Sequence, residues 1–165
     1  MPTVAFLDYS KEADVLSGIE RLCHRSGILR SIARGASVAV KLHMGELGNV
    51  TYLRPAFVRQ VVDLVKKRGG RPFVTDTVSL YPGGRDTRKK YLFTAAYNGF
   101  VPETMGAPVV IADGDGDEGE VVALSQQVEG CRLREVEVAR EIRLADALLA
   151  LSHVKGHMIT GFGGA

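Results

Sequence analysis

Three side chains that could act as acids, bases or ligands lie close together near the end of the chain. His153, Lys155 and His157 occur in the stretch LSHVKGHMITGFGGA. Two histidines four positions apart share one face of a helix, as in zinc sites of the HExxH type. Here a lysine stands between them and Gly156 disfavours a helix, so the stretch favours acid–base chemistry or ligand binding over a zinc site. A histidine that only caps a strand end is the structural alternative.

Two further stretches place reactive side chains directly after short apolar runs. Lys41 and His43 belong to KLHMGELGNVT, and Asp76 belongs to TDTVSLYPGG. Together with Glu46, the lysine and the histidine are suited to proton transfer, and pairing with one another at the surface is the alternative. Lys41, His43 and Asp76 are therefore candidate ligand-binding or cofactor-binding residues.

Two glycine-rich loops, YPGGR and TGFGGA, offer backbone N–H groups to an anion. The candidate cofactor-binding glycines are Gly161, Gly163 and Gly164. The basic side chains near the first loop are Arg85, Arg88, Lys89 and Lys90. Neither GxGxxG nor a Walker lysine pattern occurs, which counts against nucleotide-dependent dehydrogenases and NTPases. Surface turns also need glycine, so the loops alone do not identify a phosphate site.

The acidic stretch DGDGDEGE, residues 113–120, resembles a calcium loop in its alternating aspartates. Measured against the EF-hand pattern, its glycine is one place late, and Leu124 stands where a bidentate glutamate is required. The stretch therefore predicts a solvated turn that leads into an edge strand.

The pattern of apolar residues predicts the elements that position these side chains. Short apolar runs predict strands over residues 3–7, 37–42, 71–75, 108–112 and 147–152, the last buried on both faces. Helices are predicted over residues 11–32, 54–70 and 87–98, the first with Ser10 as its N-cap and broken at Gly27. Residues 120–124 and 133–138 predict a hairpin, and residues 139–146 a short helix.

Strands that alternate with helices predict an α/β fold. We expect one α/β domain over residues 1–165, with a mostly parallel, helix-covered sheet of about five strands and an added edge hairpin. In such sheets ligands bind beyond the carboxyl ends of the strands. Since Lys41, His43, Asp76 and His153 each follow a predicted strand, we expect their side chains to approach one mouth.

Composition excludes several classes of function. The 165 residues are 45% hydrophobic and 24% charged, with a net charge of +2, which is too balanced to predict a nucleic-acid partner. A basic leader and a long apolar run are both lacking, so we expect neither secretion nor a membrane partner. Cys23 and Cys131 match no metal spacing and predict two reduced thiols in a cytoplasmic protein.

The stretches VAVKLHMGELGNVTYLRP, GGRPFVTDT and LLALSHVKGHMITGFGGA resemble the uncharacterised iron–sulfur centre proteins grouped as domain of unknown function three-six-two. The HxKxH motif followed by glycines is the most specific part of this resemblance. In that family the glycine run leads into further α/β structure and commonly a ferredoxin-like part that binds [4Fe-4S] clusters. Neither Cys23 nor Cys131 lies in a cluster-binding run, so the resemblance implies a fragment whose ferredoxin-like part is missing.

A more distant similarity connects the same residues to nickel-pincer lactate racemases, which combine a glycine-rich turn with histidines and lysines at a domain cleft. That similarity implies His153 or His157 as the acid or base. It also implies Lys155 or Lys41 as the residue that holds a substrate carboxylate or a cofactor phosphate.

Three functional hypotheses follow. The first is an α/β domain of an iron–sulfur, electron-transfer-associated protein that contributes one wall of a small-molecule or cofactor site and meets a redox partner domain. The second is an isomerase or metal-dependent enzyme that uses His153 and His157 as acid and base. The third is an interaction module whose glycine-rich end docks a partner or a second copy of the chain.

Overall fold

The computed structural model describes residues 4–114, 119–125 and 129–164. Its helices are α1 (Val15–Ser26), α2 (Pro55–Lys67), α3 (Arg88–Tyr97), α4 (Pro102–Met105) and α5 (Arg140–Arg143), and a 3-10 turn covers Tyr9–Lys11. Its strands are β1 (Ser37–Leu42), β2 (Arg71–Asp76), β3 (Val109–Ile111), β4 (Gly119–Ala123), β5 (Glu135–Ala139), β6 (Ala147–Leu151), β7 (Lys155–His157) and β8 (Gly161–Gly163).

The central sheet confirms the predicted α/β class. Four strands in the order β3-β2-β1-β6 all run parallel, with Val40 beside Val74 on one side and beside Leu149 on the other. The carboxyl ends of β1, β2 and β6 therefore meet at one edge, which we call the rim. Antiparallel pairing joins β4 to β5 and β7 to β8 in two separate two-stranded sheets, so the predicted hairpin forms beside the main sheet and not on its edge.

The core lies between one face of this sheet and the helices α2 and α3. Val38, Val40 and Leu42 of β1 are fully buried, because alternate strand residues face the same layer. Helix α2 contributes Val58, Val61, Val62 and Val65 at helical spacing, as predicted. The helix begins at Pro55, where the missing N–H costs no hydrogen bond. After the helix ends, the chain turns at Gly69, which has φ +90°.

Three predicted details are wrong. The apolar run predicted as the first strand forms no strand over residues 4–7, where Val4 and Phe6 are 86% and 79% exposed. Strand β6 is not buried on both faces, because Leu148 is 51% exposed. The N-cap of α1 is Asp14, whose carboxylate accepts from the N–H groups of Leu16 and Ser17.

The predicted break at Gly27 is confirmed, since its left-handed conformation (φ 69°) ends α1. Among the described residues, no helix is both long enough and apolar enough to span a bilayer.

Candidate functional site

The rim carries a cavity of about 420 Å³, within the size range of small-molecule sites. Its walls come from the residues after β1, β2 and β6 and from the β7–β8 hairpin. The titratable side chains that line it are Lys41, His43, Glu46, Tyr52, Asp76, Tyr81, Arg85, His153, Lys155 and His157. Gly163 and Gly164 also line it. The predicted convergence of Lys41, His43, Asp76 and His153 on one mouth is thus confirmed, and we call this space the rim cavity.

Gly161 is the one predicted site residue that does not line the cavity. It opens β8 with φ +75°, a backbone conformation that L side chains rarely adopt. Its role in the structure is to close the hairpin turn that presents its neighbours.

The floor of the rim cavity is a hydrogen-bonded chain of polar groups. Lys41 Nζ donates to Asp76 Oδ1 at 2.9 Å, and the hydroxyl of Tyr91 donates to Asp76 Oδ2. The same hydroxyl accepts from the N–H of Met44 at 3.2 Å. Asp76 is only 5% exposed and Tyr91 is fully buried, so these bonds hold the carboxylate in place beneath the lysine. Burial, aided by the neighbouring Asp76 carboxylate, raises the pKa of Tyr91 well above its ordinary value, so the phenol keeps its proton.

His43 is arranged as a hydrogen-bond donor toward the cavity. Its Nδ1 accepts from the N–H of Gly45 at 3.0 Å, which places the proton of the neutral imidazole on Nε2. Burial and the nearby Arg85 hold the pKa of His43 below its ordinary value, so the neutral form is favoured. The position of the Nδ1 bond disfavours His43 as a general base through that nitrogen.

A cluster of Arg85, Glu46 and Tyr81 forms one side of the cavity. The guanidinium of Arg85 pairs with the carboxylate of Glu46 and donates to the hydroxyl of Tyr81 at 2.6 Å. It also lies 5.4 Å from the ring centroid of Tyr91, within cation–π range. The hydrogen bond from Arg85 lowers the pKa of Glu46, which therefore stays ionised. The pairing of Lys41 with Glu46, one alternative from the sequence, is replaced by Lys41 with Asp76 and Glu46 with Arg85.

The β7–β8 hairpin supplies the outer wall. His157 Nδ1 accepts from the N–H groups of Ile159 and Thr160 at 3.3 and 3.2 Å, so this ring stabilises the turn and carries its neutral-form proton on Nε2. A Cβ built on Gly163 would meet Lys155 Nζ at 3.5 Å, so the glycine leaves room for the lysine over the strand. His153 is exposed, and its imidazole has no hydrogen bond within the described residues.

The glycine loop YPGGR has one of its N–H groups already hydrogen-bonded within the loop. The N–H of Gly83 donates to Asp86 and the carbonyl of Gly84 accepts from Thr94. Lys90 pairs with Asp86 and lies outside the rim cavity. The phosphate interpretation of this loop therefore has no support beyond Arg85.

The acidic stretch lies partly outside the described residues, which exclude Asp115, Asp117 and Glu118. Asp113 accepts from the N–H of Val78 at 2.7 Å, and so holds the loop after β2. Over the described ranges, no cluster of three or more histidine, cysteine, aspartate or glutamate side chains is placed to hold a metal ion. Cys23 and Cys131 are both unpaired thiols.

Tyr91 is a residue of the candidate site that the sequence did not indicate. It occupies an apolar position of α3, with Thr94 and Ala95 on the same buried face, and that pattern indicates only packing. Its hydroxyl reaches Asp76 because α3 packs against β3, the neighbour of β2, and such a tertiary contact leaves no local signal in the sequence. The sequence indicated Arg85 only as a basic residue beside a glycine-rich loop.

Comparisons with known proteins identify a family. No match was found among curated proteins or among solved structures. Residues 38–165 match the sequence model of the family described as Domain of unknown function (DUF362), a range that contains all of the rim cavity. Because the match covers most of the chain, this protein belongs to that family.

Proposed function

We propose that this domain binds a small anionic molecule or cofactor in the rim cavity. The observation that carries the proposal is the convergence of eight of the predicted site residues on one concave space. These residues come from four separate stretches of the chain, so their proximity results from the parallel strand arrangement. Sites of this kind bind ligands in many α/β proteins.

The charge balance of the lining favours an anion. Lys41, Arg85 and Lys155 are the cations of the wall, whereas Glu46 and Asp76 are its carboxylates. Both carboxylates already accept hydrogen bonds from protein donors, Asp76 from Lys41 and Tyr91 and Glu46 from Arg85 and Tyr81. A ligand therefore meets mainly donors.

The donors that remain are suited to carboxylate or phosphate oxygens. Lys41 Nζ uses one of its three protons on Asp76, and Lys155 has no ion pair among the described residues. In its neutral form each of the rings of His43 and His157 carries its proton on Nε2, because Nδ1 accepts a backbone N–H. Two ammonium groups and two imidazole N–H groups can together bind an oxyanion by charge-assisted hydrogen bonds.

We further propose that the domain is the α/β part of a cytoplasmic iron–sulfur, electron-transfer-associated protein. Support comes from the resemblance of its HxKxH and glycine motif to iron–sulfur centre proteins. The cluster ligands would have to come from another part of the protein, since neither Cys23 nor Cys131 lies in a cluster-binding run. Sequencing the gene beyond the codon for Ala165 tests this part: an open reading frame with cysteine clusters supports it, and an immediate stop codon contradicts it.

Isothermal titration calorimetry with inorganic phosphate and with malonate tests the binding proposal. We expect the wild-type chain to bind at least one of these anions, and Lys155→Met to weaken binding about tenfold, because one charge-assisted contact is lost. Lys89→Met is the matched control, since Lys89 is an exposed lysine that does not line the rim cavity. Equal affinities for the two variants, or no binding of either anion, would contradict the proposal.

A second candidate function rests on His153. Its imidazole lines the cavity and is not hydrogen-bonded within the described residues, so either nitrogen can accept a proton. An isomerase could use His153 to remove a proton from the carbon beside a bound carboxylate, while the Nε2–H of His157 protonates that carbon from the opposite face. The role of His153 can be tested by incubating lactate or mandelate with the protein in deuterated water. NMR then measures the exchange of the proton on the carbon beside the carboxylate. Exchange that His153→Ala leaves unchanged would exclude His153 as the base.

A further inference from the structure

A second charged surface lies at the opposite edge of the sheet, around the loops that precede β1 and β2. Arg30, Lys67 and Arg68 line a cavity of about 580 Å³ between the ends of α1 and α2. Arg34 lies beside them, because a Cβ built on Gly69 would meet its side chain at 3.1 Å. We call the exposed cations Arg30, Arg34, Lys67, Arg68 and Arg71 the basic face.

Hydrogen bonds between the two loops hold the basic face together. The N–H of Gly35 donates to the carbonyl of Gly69 at 2.8 Å, which joins the segment before β1 to the end of α2. Arg71 Nε donates to the carbonyl of Gly35 at 2.9 Å. Arg68 lies within 3.5 Å of the carbonyl of Arg30. The fold thus places the backbone of these loops on one surface, and the arginines are not merely close in sequence.

This surface is poor in acidic partners. Between Arg25 and Arg71 the chain has ten lysines and arginines but only two acidic residues, Glu46 and Asp63. Glu20 contributes a carboxylate to the cavity and pairs with Lys67 at 3.2 Å. In the part of the chain that the structure describes, no carboxylate pairs with the remaining four arginines of the basic face.

Part of this charge has a structural role. Cations near the carboxyl ends of α1 and α2 offset the partial negative charge of the helix termini. Two of the arginines also donate to backbone carbonyl groups. Four arginines without a carboxylate exceed that need, and they repel one another unless a partner supplies negative charge.

We propose that the basic face docks an acidic protein surface whose carboxylates enter the cavity between α1 and α2. The apolar groups inside the basic face favour a protein partner over nucleic acid. The half-buried Leu29 and Cys23 line the same cavity, and Ile28 is 53% exposed beside it. An apolar centre with charges around it is the arrangement of protein–protein interfaces, in which the charges steer association and the centre excludes water. Nothing in this docking depends on a ligand in the rim cavity.

Fluorescence anisotropy of a labelled oligo-glutamate peptide tests the proposal on the full chain at low ionic strength. We expect binding that weakens with added salt and that weakens about tenfold in the double variant Arg30→Gln, Arg34→Gln. Those two side chains donate no hydrogen bond within the described residues, so their replacement should leave urea unfolding unchanged. Arg68→Gln is a second, independent variant, for which we expect a loss of about threefold.

The matched control is the double variant Arg132→Gln, Arg143→Gln, which removes the same net charge from exposed positions outside the basic face. An equal loss in this control would show a general charge effect and overturn the proposal. Tighter binding of a labelled DNA duplex through the same arginines would assign the face to nucleic acid and also overturn it. Lys155→Met, at an exposed lysine of the rim cavity, should leave peptide binding unchanged, and a loss there would place the peptide in the rim cavity instead.

Discussion

Tyr91→Phe removes a single oxygen from the floor of the rim cavity. In the wild-type protein that hydroxyl donates to Asp76 Oδ2 and accepts from the N–H of Met44. Tyr91, Met44 and Asp76 are 0%, 0% and 5% exposed, so water has little access to any group that loses its partner. The variant therefore leaves a carboxylate oxygen and a backbone N–H with unmet hydrogen-bonding capacity.

The expected loss follows from those two groups. A buried polar group without its partner costs about 1–3 kcal/mol, and a charged group costs more. Asp76 keeps its hydrogen bond from Lys41, which limits the part of the stability loss that comes from the carboxylate. We expect Tyr91→Phe to lower the free energy of unfolding by about 3 kcal/mol.

Urea denaturation followed by circular dichroism measures this loss, provided that the slope with urea stays unchanged. Tyr52→Phe is the matched control, because its hydroxyl lies 3.4 Å from the carbonyl of Asn98 in a partly buried setting. We expect that control to lose less than about 1 kcal/mol.

A double-mutant cycle isolates the contact itself. Asp76→Asn alone and together with Tyr91→Phe should give a coupling free energy of about 1–2 kcal/mol, because the two side chains share a hydrogen bond. A loss for Tyr91→Phe no larger than that for Tyr52→Phe, or a coupling near zero, would refute the hydrogen-bonded floor.

Two further predictions concern the loop after β1. Burial holds the pKa of His43 below its ordinary value, so the unfolded chain takes up the proton first as pH falls. The free energy of unfolding of the wild type relative to His43→Asn should therefore decrease between about pH 7.5 and 5.5, and a constant difference would contradict this. Gly45→Ala should destabilise by about 3 kcal/mol, since Gly45 has φ +86° and a Cβ there would lie 2.5 Å from Asn98 Nδ2. Gly35→Ala, with φ +79° and open space, should cost only about 1 kcal/mol in the same urea experiment, and equal losses would contradict the close packing.

The elements of the central sheet were predictable because their signals are local. Strand β6 is a continuous apolar run, β1 and β2 contain shorter ones, and α2 combines helical apolar spacing with Pro55 and the following glycines. Once parallel order is assumed, the residues after the strands must share an edge, and this places Lys41, His43 and Asp76 together. The candidate site therefore followed from topology more than from any motif.

The remaining errors have tertiary causes. The run at residues 3–7 has strand-like composition, but composition does not tell whether a neighbouring strand is available to pair with it. Ser10 and Asp14 are both good N-cap residues, and Asp14 is used because Asp8 already binds Ser10. The turn that His157 Nδ1 holds was also missed, because sequence spacing does not reveal its geometry.

Anomalous diffraction from crystals soaked in selenate, an oxyanion similar in size to phosphate, tests the central claim most directly. The account predicts a selenium peak in the rim cavity within hydrogen-bond distance of Lys41 Nζ or Lys155 Nζ, and its loss in crystals of Lys155→Met. A peak confined to the basic face, or none in the rim cavity at a concentration that saturates binding in solution, would contradict the claim that this rim is an anion site.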